Sequence, residues 1–164
     1  MEYKELVDDF AKRTRINLNI FRRIQKDHQE IIEQYRKEDP QTDMYEVTQL
    51  INSLLGLLVF PREEFVGKIP YKTIKELIKE GWPIPRIKGH YTQANNLNQL
   101  VRYLRNAIAH CNVKFNSDKN KKITGLELWN EDMQTKVITW HAELTIDEID
   151  IIGHKFIDLI LKTA

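Results

Sequence analysis

With one cysteine, Cys111, the chain cannot form an internal disulfide. The simplest home for it is a reducing cytoplasm. Glycine and proline are scarce, 6 and 5 in 164 residues, so long flexible linkers are not expected. The longest apolar run, LLGLLVF at Leu54–Phe60, is far shorter than the roughly 20 residues of a membrane-spanning helix. An excess of one charge is missing too: 25 Lys+Arg face 24 Asp+Glu, a formal +1. A nucleic-acid site must therefore come from local clustering rather than from the field of the whole chain. His90, His110, His141, His154 and Cys111 show no ligand-pair spacing of a zinc site. GKI at Gly67 lacks the upstream glycine of a phosphate-cradling loop. No metal and no cofactor is expected. The N-terminal MEYKELVDDF is acidic and helical in pattern, unlike a signal peptide.

What remains is 41% hydrophobic and 30% charged, ordinary for a globular protein and long enough for one domain over residues 1–164. Residues 2 to about 38 read as one long helix, broken by EDPQTD. Its seam is Tyr3, Val7, Phe10, Thr14, Asn17, Phe21, Ile24, His28, Ile31 and Tyr35, in alternating steps of four and three. Asp43 can cap a second helix, which stops at Pro61 and is apolar nearly all round in its second half, as a central buried helix would be. Pro70 suits the first turn of a short third helix, YKTIKELIKE, closed by Gly81. GWPIPRIKGHY then reads as a loop. Thr92 can cap a fourth helix running to about Cys111. After the polar turn NSDKNKK, ITGLELWN and KVITWHAEL read as a hairpin turned at EDMQT. TIDE, Thr145–Glu148, is a capping box for the last helix. The fold class expected is mainly α: an up-and-down bundle of four to five helices with a small β-hairpin before the last helix.

The fourth helix carries the chemistry. On a wheel of about 100° per residue, Leu97, Leu100, Val101, Leu104, Ala107 and Ile108 form the core face. Asn95, Gln99, Arg102, Asn106 and His110 lie opposite, with Arg105 at the edge of that stripe and Cys111 turned toward the core. Asn106 and His110 are four apart and therefore neighbours. A solvated face would be richer in Lys and Glu. Arginine offers phosphate a planar fork of permanent donors. Histidine titrates near neutrality and can move a proton. Asparagine can orient the imidazole or hold a substrate hydroxyl. Together they suit cleavage of RNA by its own 2′-hydroxyl, without a metal. The plainer reading is a solvated arginine and a histidine set against the helix dipole. KRTR at Lys12–Arg15, FRRIQK at Phe21–Lys26 and KFNSDKNKK after His110 are basic clusters that either hold RNA or are balanced by nearby acids. Trp129 and Trp140 on the hairpin read as packing residues.

At these residues the chain resembles the HEPN superfamily of small helical domains. RNAIAH, Arg105–His110, looks like its R-N-x-x-x-H motif, and AKRTRINLNIF, YEVTQLINSLLGLLVFP and the closing hairpin plus helix extend the likeness over nearly the whole chain. The resemblance implies a homodimer through the motif helix, with two copies of the motif in one composite cleft. It implies a metal-independent endoribonuclease leaving a 2′,3′-cyclic phosphate, often a toxin or anti-phage effector with an antitoxin or regulatory partner. Family roles fall on Arg105 for phosphate and transition-state charge, His110 for proton transfer and Asn106 for positioning. Arg102, on the same stripe, is the candidate substrate-binding residue. The alternative is a non-catalytic dimeric module that binds RNA, a nucleotide or a regulatory partner.

Overall fold

The computed structural model describes residues 3–38, 46–59, 69–119 and 123–163. Among them the chain order is α1 Tyr3–Asp27, α2 Gln29–Glu38, α3 Glu46–Val59, α4 Ile74–Lys79, β1 Arg86–Ile87, α5 Leu97–Ala109, β2 Val113–Ser117, β3 Ile123–Glu131, β4 Ile138–Thr145 and α6 Ile146–Thr163.

The long first helix is interrupted at His28. The His28 amide still reaches the Ile24 carbonyl at 3.0 Å, but the Ile31 amide bonds back to His28 at 3.1 Å, a tighter i to i+3 step that starts α2. Val7, Ala11, Thr14 and Leu18 are buried, and Phe10 and Phe21 flank them. The last members of the expected seam, His28, Ile31 and Tyr35, are exposed, as is Asn17 in its middle. A seven-residue repeat drifts about 20° per heptad against a straight helix. From Tyr3 to Tyr35 that adds up to about 90°, enough to carry the seam off the core face. α3 is the central helix expected, with Leu50, Ser53, Leu54, Leu57 and Leu58 buried. Its expected cap Asp43 and its stop Pro61 lie outside the described residues.

The basic clusters of α1 face carboxylates. Lys12 pairs with Asp8, Arg13 with Asp9 at 2.7 Å, Arg15 with Asp158, Arg22 with Asp150 and Arg23 with Asp27 at 3.6 Å. Two of these pairs tie α1 to α6, and His154 sits beside them. Its Nε2 is buried without a hydrogen bond, 3.7 Å from Asp150 Oδ1. Burial first, then the charges of Arg22 and Arg15, push its pKa below the ordinary histidine value; Asp158 opposes them. The unfolded chain therefore binds a proton at a pH where the folded chain does not. Above about pH 6.5 both states are neutral and nothing is lost. Below it, stability falls until the lowered folded-state pKa is reached. Urea unfolding of wild type should show this loss between about pH 6.5 and the lowered value, and His154→Phe should flatten that part of the slope.

The expected bundle with a small hairpin is corrected to helices packed on a four-stranded antiparallel sheet of order β1-β4-β3-β2. The β3–β4 hairpin is present, turned where Asp132 Oδ1 accepts from the amides of Gln134 at 3.0 Å and Thr135 at 2.7 Å. The two outer strands come from segments that read as loops. β1 is two residues long between Pro85 and Gly89, too short to show an alternating pattern. It exists because Arg86 and Ile87 meet Glu143 and Ala142. β2 is polar and pairs Val113–Ser117 with β3, bulging at Asn116/Ser117.

Leu126, Leu128, Trp140, Ala142 and Leu144 are buried on one sheet face with the helix core. The other face is polar. There Glu127 accepts from Lys88 at 3.0 Å and faces His141 Nε2 at 2.8 Å. Lys88 and then His141 hold its carboxyl below the usual range against the opposing effect of burial. Gly125 on β3 runs so close to Leu144 that a Cβ there would collide with the Leu144 carbonyl oxygen. Gly125→Ala should therefore lose about 1–3 kcal/mol by overpacking, read as a lower urea midpoint at an unchanged m-value.

The last helix opens as expected. The Thr145 amide donates to Glu148 Oε2 at 2.7 Å, and the Glu148 amide to Thr145 Oγ1 at 3.2 Å. The third helix starts later than expected. Thr73 is its cap, in a full capping box with Glu76, so Pro70 lies ahead of the helix rather than in its first turn, and Gly81 at φ +75° follows its end. Residues 69–72 are thereby left out of the helix.

Candidate functional site

The motif helix α5 begins at Asn96, whose side chain accepts from the Gln99 amide at 2.9 Å. Thr92 is exposed and lies outside the helix, so the expected cap moves four residues along. Tertiary contacts pin this start: the Leu97 amide donates to the Lys72 carbonyl at 2.9 Å, and Thr73 bridges to Asn96. The core face is the one the wheel gives. Leu97, Leu100, Val101, Leu104, Ala107 and Ile108 are all buried.

The other end is closed by backbone alone. The Asn112 amide returns to the Ala107 carbonyl at 2.8 Å and the Cys111 amide to Ile108 at 3.1 Å. This is the paired bonding of a Schellman cap, with His110 as C-cap and Cys111 in the left-handed position at φ 56°. That position usually holds glycine, and a side chain there costs about 1–2 kcal/mol. The turn also corrects the placement of Cys111. Its thiol is exposed rather than directed to the core, because the chain has left the helical wheel at His110.

The sheet holds the helix from behind. Buried Asn130 donates from Nδ2 to the Tyr103 carbonyl at 3.2 Å, and the Trp129 amide donates to the Asn112 carbonyl at 3.1 Å. The rings of Tyr103 and Trp140 lie 5.1 Å apart, tilted by 31°. Gln99 braces the same stripe: its Oε1 accepts from the Asn95 amide at 2.7 Å and its Nε2 donates to the Tyr103 hydroxyl at 2.7 Å.

On this fixed support Arg105 and Asn106 are half-buried, and Arg102 and His110 are exposed, all on the side away from the core. Asn106 and His110 stand one turn apart. Among the described residues, the side chains of Arg102, Arg105, Asn106 and His110 make no hydrogen bond or ion pair within the protomer. The arrangement presents two permanent cation forks, one amide and one imidazole ring from a single helix and its C-cap. Chemically that can bind a phosphodiester and move a proton.

The sequence pattern did not single out the groove at the other end of α5. It measures about 310 Å³ and is lined by Ile69, Tyr71, Asn96, Asn98, Gln99 and Arg102. The expected third helix, YKTIKELIKE, takes in Tyr71. The spacing Thr73-x-x-Glu76 is the signal that could have put Tyr71 outside it.

Among the described residues no group of three or more His, Cys, Asp or Glu is placed to hold a metal ion. No described helix is long and apolar enough to cross a membrane. Compared with known families, the model described as HEPN pEK499 p136 matches residues 1–164. No curated protein matches the chain, and no solved structure does.

Proposed function

The chain belongs to the HEPN pEK499 p136 family, and on that premise we propose that it is a homodimeric, metal-independent endoribonuclease. The observation that carries the proposal is the placing of Arg105, Asn106 and His110 on the outward stripe of α5, opposite a fully buried face. In the proposed reaction the 2′-oxygen of a ribose forms a bond to the adjacent phosphorus as the bond from phosphorus to the 5′-oxygen breaks. One imidazole takes the 2′-hydroxyl proton, and the leaving oxygen is protonated. Arg105 stabilises the charge on the crowded phosphate. Asn106 positions the linkage or the ring. The products are a 2′,3′-cyclic phosphate and a 5′-hydroxyl. Two motif helices facing across a two-fold axis bring two copies of each group into one cleft.

An RNA target puts the work in the cytoplasm, and cutting host RNA suits a toxin or anti-phage effector held in check by an antitoxin or other partner. One observation favours a second reading. Among the described residues His110 has no orienting hydrogen-bond partner, whereas a catalytic histidine is usually held by a third group. If no partner subunit supplies that group, the chain is a non-catalytic dimeric module that binds RNA, a nucleotide or a regulatory protein. The test is incubation of the purified protein with RNA in excess chelator. Cleavage with cyclic phosphate ends, and none of DNA of the same sequence, supports the nuclease. Intact RNA under all conditions, with a dimer present, supports the module.

A further inference from the structure

The groove beside Tyr71 has no part in the chemistry above. The geometry points to it as a stacking pocket for an unpaired nucleobase on the strand that crosses the motif, an inference that rests on the proposed RNA substrate. Three observations carry it. Tyr71 is an aromatic ring left 74% exposed. The backbone that carries it is anchored on both sides, because Ile69 before it is buried and Lys72 and Thr73 after it are bonded to the start of α5. A bare ring on an anchored backbone offers a π face at a set place beside the groove. Third, the groove shares Arg102 with the polar stripe that leads to the motif. Along the axis Arg102 is about 6 Å and Asn98 about 12 Å from Asn106, at 1.5 Å per residue, a reach suited to neighbouring nucleotides of one strand.

The floor of the groove indicates how a base would be read. Asn96 Oδ1 is committed to the Gln99 amide, and the Gln99 amide group is committed at both ends, to Asn95 and Tyr103. These bonds stiffen the floor of the pocket and take Asn96 Oδ1 and the Gln99 amide out of base reading. Recognition is then by stacking on Tyr71 with Arg102 on a flanking phosphate. Stacking is tolerant of sequence and favours the bases that stack best, so single-stranded purine-rich RNA is the preferred class.

The test uses a fluorescent 2′-O-methyl oligo(A) of about 12 nucleotides, within the usual size of single-strand sites, which 2′-hydroxyl attack cannot cut. Its affinity is measured by anisotropy for wild type, Tyr71→Ala, Tyr71→Phe and Arg102→Ala, beside cleavage of unmodified oligo(A). Expected are a loss of about tenfold in affinity for Tyr71→Ala, equal to about 1.4 kcal/mol, and little change for Tyr71→Phe. Arg102→Ala should weaken binding and make it less sensitive to salt. Wild-type affinity in Tyr71→Ala, or no binding of the probe by wild type, overturns the pocket. The two readings fail separately. Binding that depends on Tyr71, with oligo(A) and mixed-sequence RNA both left intact, sinks the nuclease and leaves the pocket. Cleavage with an unchanged KM in Tyr71→Ala does the reverse.

Discussion

If the proposed reaction holds, Arg105→Ala and His110→Ala should each remove most RNA cleavage, with kcat down by about 10²–10⁴, while the urea midpoint moves little. The size follows from what each group supplies. A positioned acid or base contributes about 10²–10⁴ in rate, and one charge-stabilising donor about 10²–10³. The small stability effect follows from location, since both residues lie on the side of α5 away from its buried face and, among the described residues, make no side-chain hydrogen bond or ion pair. Surface substitutions of that kind stay within about 0.5 kcal/mol. Mixing the two inactive variants gives a sharper outcome. If one cleft is built from two protomers, exchange between dimers creates clefts with one wild-type arginine and one wild-type histidine. Activity should then rise above either variant alone. Gel analysis of a labelled RNA in chelator reads it. Full activity in either single variant would remove the motif from the reaction.

Trp140→Ala should be the most damaging of the single core changes, losing about 3–5 kcal/mol, a large share of the 5–15 kcal/mol that holds a typical domain together. Trp140 is fully buried on β4 and packs its ring against Tyr103 of the motif helix. Its removal deletes the largest fully buried side chain and the aromatic pair together. Trp140→Phe should lose less than half as much. It keeps an aromatic face, and it discards an indole N–H that is buried without a hydrogen-bond partner. Equilibrium urea unfolding of the pair is the measurement. A milder effect in Trp140→Ala than in Trp140→Phe would show that the sheet does not brace α5 through this ring. Because the same contact holds the helix that presents Arg105 and His110, Trp140→Ala should also lower cleavage at temperatures well below its unfolding midpoint.

The face of α5 was legible before any coordinate. A helix repeats every 3.6 residues, so thirteen residues suffice to separate six buried positions from the stripe of Arg102, Arg105, Asn106 and His110. The capping box Thr145–Glu148 and the β3–β4 hairpin were legible for the same reason: their signals lie within a few residues of one another. The long helix was legible as a helix but not as a seam, because a small angular error per turn accumulates over its length.

The two ends of α5 show where local signals stop. Thr92 and Asn96 are both good caps by residue type. The choice between them was made by Lys72 and Thr73, distant in sequence, bonding to Leu97 and Asn96. Cys111 continues the helical pattern in sequence, but the backbone turns left-handed there to meet β2, and the thiol goes to the surface. β1 and β2 carry no readable pattern of their own and are strands only because β4 and β3 offer them open edges. Periodic and capping information is local, so the residue order alone settles which side of the motif helix is buried and which is polar. Edge strands, helix starts and the bare ring of Tyr71 depend on partners far along the chain, and only folding brings those partners within hydrogen-bonding distance.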